Sequence, residues 1–129
     1  MNKIIIEVSV GELLDKISIL EIKQEKIRDQ EKIEFINLEH KILKEQLNQN
    51  VKTDKKLENL FQSLKEINAK LWVIEDDKRQ CEKDKDFGEK FIKLSRDVHF
   101  LNDDRAKIKL EMNNHTGSKI KEIKEYTSY

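Results

Sequence analysis

LENLFQSLKEINAKLWVIEDDKRQC, residues 57–81, brings a seam position round every three or four residues: Leu57, Leu60, Leu64, Ile67, Leu71, Ile74, Lys78 and Cys81. That alternation is the seam of a helix that packs along other helices, and Lys78 is its one charged member. The stretch holds neither glycine nor proline, and the whole 129-residue chain has no proline and three glycines, Gly11, Gly88 and Gly117. So few breakers predict long helices joined by short turns.

Towards the C-terminus, Lys83 to Gly88 reads as a charged turn, with Asp86 as an N-cap and Glu89 three residues later. Phe91, Leu94, Val98, Leu101, Arg105, Ile108 and Met112 then repeat the seam in a helix over 87–114, and 115–129 form a tail. Towards the N-terminus, polar Asn48 to Asp54 is a turn with Thr53 as cap, so the seam helix spans 54–84. Before it, Leu13, Ile17, Leu20, Gln24 and Ile27 share one phase with Phe35, Leu38 and Ile42. Arg28 to Lys32 contains no apolar residue, which would allow a break there, but also no glycine or proline to make a turn, so one continuous helix over 11–48 is the reading favoured over two. Ser9 is its N-cap, with Glu12 completing a capping box and Val8 and Leu13 spaced as a hydrophobic staple. Residues 1–10 alternate through Ile4, Ile6, Val8 and Val10, the period of a short strand.

The expected fold is therefore all-α: a single domain over 1–129, an elongated antiparallel three-helix coiled-coil bundle with a short N-terminal β-strand. Helical rise makes such a bundle roughly 45 Å long, with the strand and the tail at opposite ends. A lone strand is unstable, so self-association through the N-terminal strand or the first helix is expected, alongside an unknown protein partner. Antiparallel packing about a turn near Lys85 sets residues whose numbers sum to about 171 side by side. That register predicts structural ion pairs between Glu75 and Arg96 and between Glu66 and Arg105, with Trp72 beside His99.

Charged residues make up 40% of the chain, 26 acidic and 26 basic, so no net field favours nucleic acid or an anionic membrane. The longest apolar run, Ile4 to Ile6, is far too short to span a bilayer and has no signal-peptide character. A single cysteine, Cys81, agrees with a cytoplasmic location. His40, His99 and His115 are scattered and Cys81 has no second thiol at ligand spacing, so no metal or cofactor is implied. Phosphate-loop and nucleophile-elbow motifs are absent, which leaves covalent catalysis without support and no residue assigned as catalytic.

The function these features imply is a non-enzymatic coiled-coil interaction or oligomerisation module. The alternative is an all-helical enzyme or binding protein holding a small anionic ligand on the face between the 54–84 and 87–114 helices, with Trp72, Arg96, His99 and Arg105 as its ligand- or partner-binding residues. Arginine occurs only at 28, 79, 96 and 105, and its planar two-pronged contacts cannot be reproduced by the abundant lysines.

Three stretches carry a likeness: GELLDKISILEIK at 11–23, LWVIEDD at 71–77 and FIKLSRDVHFLNDDRAKIK at 91–109. With them the chain resembles a domain-of-unknown-function family of small charged helical proteins from bacteria and phages. The resemblance implies one helical domain and no activity, cofactor or catalytic residue. Ser95 and His99 stand where that pattern has alanine and tyrosine. The likeness thus disfavours histidine chemistry at 99, whereas an aromatic contact beside Trp72 is compatible with it.

Overall fold

The computed structural model describes residues 2–129 and contains four helices: α1 (Val10–Lys26), α2 (Gln30–Asn50), α3 (Lys55–Asp84) and α4 (Glu89–Thr116). The expected three-helix bundle with an N-terminal strand is corrected on two counts.

The continuous 11–48 helix is broken at Ile27–Asp29. Ile27 is extended at φ −89° and ψ 133°, and Asp29 restarts the helix by accepting a hydrogen bond from Lys32 N at 3.1 Å. A link that stays at negative φ needs no glycine, and an aspartate N-cap is enough to begin the next helix. The break lets α2 fold back along α1, where Gln24 Nε2 donates to Asn37 Oδ1 at 3.0 Å and His40 meets Glu21 at 3.1 Å. The fold-back buries Ile36 and Leu47, which a straight helix would leave without a partner.

The strand expected over 1–10 is absent from the described residues; Met1 lies outside them. Residues 2–9 have no regular structure, and Ile4 and Ile5 are 92% and 87% exposed. No other strand is present among the described residues to supply backbone partners, so period-two patterning alone cannot hold a strand.

α3 and α4 form an antiparallel hairpin closed at Lys85–Gly88, and His115 of α4 returns to Asp54 at the start of α3, 2.8 Å apart. α1 runs antiparallel to α4, with Gly11 beside Asn113 and Asp15 beside Arg105, and so lies parallel to α3. It is the central helix: it packs on all three others, whereas α2 lies along α1 alone. That position explains why polar as well as apolar α1 residues are buried, including Gly11, Asp15 and Ser18 beside Leu14, Ile17, Leu20 and Ile22. The main core joins Leu13, Leu14 and Ile17 to Leu47, Leu57, Leu64 and Met112. Each large side chain fully buried there contributes roughly 1.5–3 kcal/mol.

Two expected caps move by a few atoms. Asp54, not Thr53, caps α3 by accepting from Leu57 N at 2.8 Å. Asp86 bonds Gly88 N at 3.1 Å, just ahead of α4, while Gly88 itself takes the N-cap position.

The start of α1 and the end of α4, where the tail begins, lie together. An α-helix begins with N–H groups that have no partner in the helix itself. Here Val10 N donates to Ser118 Oγ at 3.3 Å, Gly11 N to Asn113 Oδ1 at 2.7 Å and Glu12 N to Ser9 Oγ at 3.1 Å. Gly117, at φ 69°, turns the chain out of α4 so that Ser118 can reach α1. The tail then doubles back along α4 to place Tyr129 against Asp103, His99 and Phe100.

Candidate functional site

The most chemically dense region lies where α1, α3 and α4 meet. Asp15 is 2% exposed. Its Oδ1 accepts from Asn68 Nδ2 at 2.8 Å and from Arg105 Nε at 3.0 Å; its Oδ2 accepts from Arg105 Nη2 and lies 3.4 Å from Lys109 Nζ. Ser18 Oγ accepts from Asn68 Nδ2 at 2.8 Å and donates to the Asp15 carbonyl at 2.8 Å. Lys109 extends the cluster to Glu12 at 2.8 Å and to Glu122 of the tail at 3.4 Å. One carboxylate thereby ties α1 to α3 and α4, and its lysine partner ties in the tail.

Burial on its own would raise the Asp15 carboxyl. The hydrogen bonds from Arg105 and Asn68, with the charges of Arg105 and Lys109, outweigh it and hold the group below the ordinary 3.8. Burial likewise opposes the charge on Lys109, and Glu12 and Asp15 overcome it, holding that amine above 10.5. A depressed carboxyl contributes stability above its unfolded pKa and loses it as pH falls through the folded value; a raised lysine loses its contribution as pH rises through its own. Urea midpoints are therefore expected to be flat from about pH 5 to about pH 9 and to drop below about pH 4. An Asp15→Asn chain should show a shallower acid limb.

With both Asp15 oxygens fully occupied by donors, no lone pair is left to abstract a proton, so the cluster is suited to holding helices rather than to acid–base chemistry. Among the described residues no three His, Cys, Asp or Glu side chains gather as a metal ligand set. No helix is long and apolar enough to cross a membrane.

Above the cluster opens a groove of about 440 Å³, walled by Ile19 and Ile22 of α1, Asn68, Trp72, Glu75 and Arg79 of α3, and Asn102 and Arg105 of α4. Trp72 and Arg105 therefore share a surface. His99 does not join them: its ring packs on Phe100 and Tyr129, with centroids 4.3 Å and 5.5 Å away. Arg96 lies over the Phe100 ring, 5.9 Å from its centroid, rather than on Glu75. Arg105 pairs with Asp15 rather than with Glu66, because the two-helix register left out α1, which inserts a buried carboxylate where the hairpin alone offered an exposed one. Sequence reasoning missed Asp15, Asn68 and Lys109. The available signal was Asp15 and Ser18, polar and one turn apart on an otherwise apolar face.

The stretches 11–23, 71–77 and 91–109, distant in sequence, supply most of this groove and the cluster beneath it. Fold and site define a class: a small helical protein organised about a buried, fully paired aspartate. Within that class, the chain belongs to the Family of unknown function (DUF6165), whose family model matches residues 4–129. No curated protein and no solved structure matches it.

A second surface is apolar. α2 turns Ile33, Ile36, His40, Leu43 and Leu47 inward, fully or partly buried. The triplet Phe35, Leu38 and Ile42, expected in the core, faces out instead at 67%, 55% and 48% exposure. The break at Ile27–Asp29 resets the helical phase and so exchanges the faces.

Proposed function

We propose that the chain is a non-enzymatic helical interaction module that receives a partner helix on the outer face of α2. One observation carries this reading: Phe35, Leu38 and Ile42 have the four-and-three spacing of a coiled-coil seam yet stay exposed, on a helix whose opposite face is already packed on α1. Contiguous apolar surface of this kind marks interaction sites, and helix-on-helix docking uses these intervals.

The groove supports a second reading as a binding site, since it gathers Trp72 and two of the four arginines. Its charge disfavours a small anion. Arg79 and Arg105 stand against Glu75 and Asp76, so the lining carries no net positive charge, and Arg105 is already paired with Asp15 beneath.

Affinity capture with mass spectrometry from the native cell separates the two. A Phe35→Glu/Leu38→Glu chain is expected to lose the reproducible partner, and a Trp72→Ala/Arg79→Ala chain to keep it. The reverse pattern would transfer the function to the groove, and an unchanged partner set in the α2 variant sinks the module reading.

A further inference from the structure

We infer that the groove between α1, α3 and α4 binds a small organic monocation, an arylalkylamine whose far end carries a neutral hydroxyl. This rests on the groove as a binding site and is independent of the outer face of α2. At about 440 Å³ the groove has the size of a small-molecule site.

Its floor is set by Asn68, which is 6% exposed. Asn68 Nδ2 gives one hydrogen to Asp15 Oδ1 and the other to Ser18 Oγ, each at 2.8 Å. Ser18 donates its own proton to the Asp15 carbonyl, so both partners can only accept and the amide cannot be flipped. Oδ1 is therefore the end turned away from α1, and no donor among the described residues reaches it. Among those residues no side-chain oxygen or nitrogen sealed from solvent lacks a partner, so this acceptor faces the groove that Asn68 lines. Arg105 borders the same floor. Its Nε and Nη2 serve Asp15 and its Nη1 gives one hydrogen to Asn102 Oδ1 at 3.4 Å, which leaves N–H groups over. A hydroxyl suits this floor, since it can donate to Asn68 and accept from Arg105 at once, whereas an ammonium would meet the guanidinium.

The mouth makes the opposite demand. Trp72, Glu75, Asp76 and Arg79 follow Asn68 along one face of α3. Arg105 is neutralised by Asp15, and among the described residues none of Glu75, Asp76 and Arg79 forms an ion pair. The unpaired groups thus carry one negative charge in excess, which a single ammonium beside an indole balances. Between floor and mouth, Trp72, Ile19 and Ile22 supply apolar wall. Seven residues separate Asn68 from Glu75, about 10 Å of helical rise. The bound molecule accordingly runs from hydroxyl through a flat apolar body to ammonium.

Trp72 is the only tryptophan and so reports on its own groove. Its emission, excited at the red edge where the probe does not absorb, is titrated with tyramine on the full chain, with calorimetry as a second readout. Tyramine should give a saturable change. Because Asn68 also holds Asp15, the hydroxyl is removed from the probe and not the side chain from the protein: phenethylamine should bind about tenfold more weakly. Para-hydroxyphenylpropanoate, which carries a carboxylate in place of the ammonium, should not saturate. Glu75→Gln/Asp76→Asn, at exposed positions, should weaken tyramine about tenfold, and Arg79→Ala should tighten it about threefold. Linear, non-saturating quenching by all three probes overturns the site. Equal affinity for tyramine and phenethylamine overturns the role of Asn68, and an unchanged affinity in Glu75→Gln/Asp76→Asn or a weaker one in Arg79→Ala overturns the cationic assignment. None of these outcomes bears on the α2 face, which the capture experiment judges.

Discussion

Arg105→Ala is expected to destabilise the fold by about 3–5 kcal/mol, a sizeable share of the roughly 5–15 kcal/mol typical of folded domains. The loss comes mainly from what the substitution leaves behind. Asp15, 2% exposed, would keep only Asn68 and a 3.4 Å approach from Lys109, a buried charge without its principal partner. Its carboxyl would then titrate higher, and the acid limb of the stability profile should move towards neutral pH. Adding Asp15→Leu to Arg105→Ala should recover part of the lost stability, because an apolar replacement removes the stranded charge. Urea denaturation of the two single variants and the double closes the thermodynamic cycle. Strict additivity would show that the pair is not coupled.

Gly11→Ala should produce the second large loss. A methyl group there would sit 2.7 Å from the Lys109 carbonyl oxygen and 3.1 Å from Lys109 Cα, both backbone atoms that can retreat only if α1 and α4 separate. Separation would also stretch the 2.7 Å bond from Gly11 N to Asn113. Overpacking of this kind costs about 1–3 kcal/mol, against a helix-propensity gain of at most about 1 kcal/mol for replacing glycine with alanine. The same substitution at Gly88 provides the control, because its nearest neighbour is the movable Asp86 carboxylate at 3.4 Å. Thermal unfolding should find Gly88→Ala close to the unmodified chain and Gly11→Ala clearly below it. Equal midpoints would refute the close-approach account.

These two residues mark the boundary of what a linear reading can see. Ser9 was legible as an N-cap because the bond it makes reaches only to Glu12. The seams of α3 and α4 were legible too: Leu57 through Cys81 and Phe91 through Met112 are buried or partly buried at every seam position. Gly11 looked like punctuation, and its role depends on a backbone 98 positions later. Asp15 looked like an ordinary helical acid until Arg105 arrived across 90 residues. The link at Ile27–Asp29 was passed over in favour of a continuous helix because it is extended at negative φ, a conformation open to any residue, and the phase of α2 was lost with it. Arg105 was paired in the sequence reading with Glu66 and in the structure meets Asp15, since a two-helix register cannot include a third helix lying across it.

The clasp at the start of α1 bears on the order in which the chain assembles. Of the four helices α1 is synthesised first, and its opening N–H groups wait for Asn113 and Ser118, 102 and 108 residues downstream. The α1–α2 and α3–α4 hairpins close over short links, and contacts of low sequence separation form fastest. On that ordering the docking of α4 against Gly11 is expected to come last, so the earliest of these four helices to be synthesised is the last to have its N–H groups satisfied.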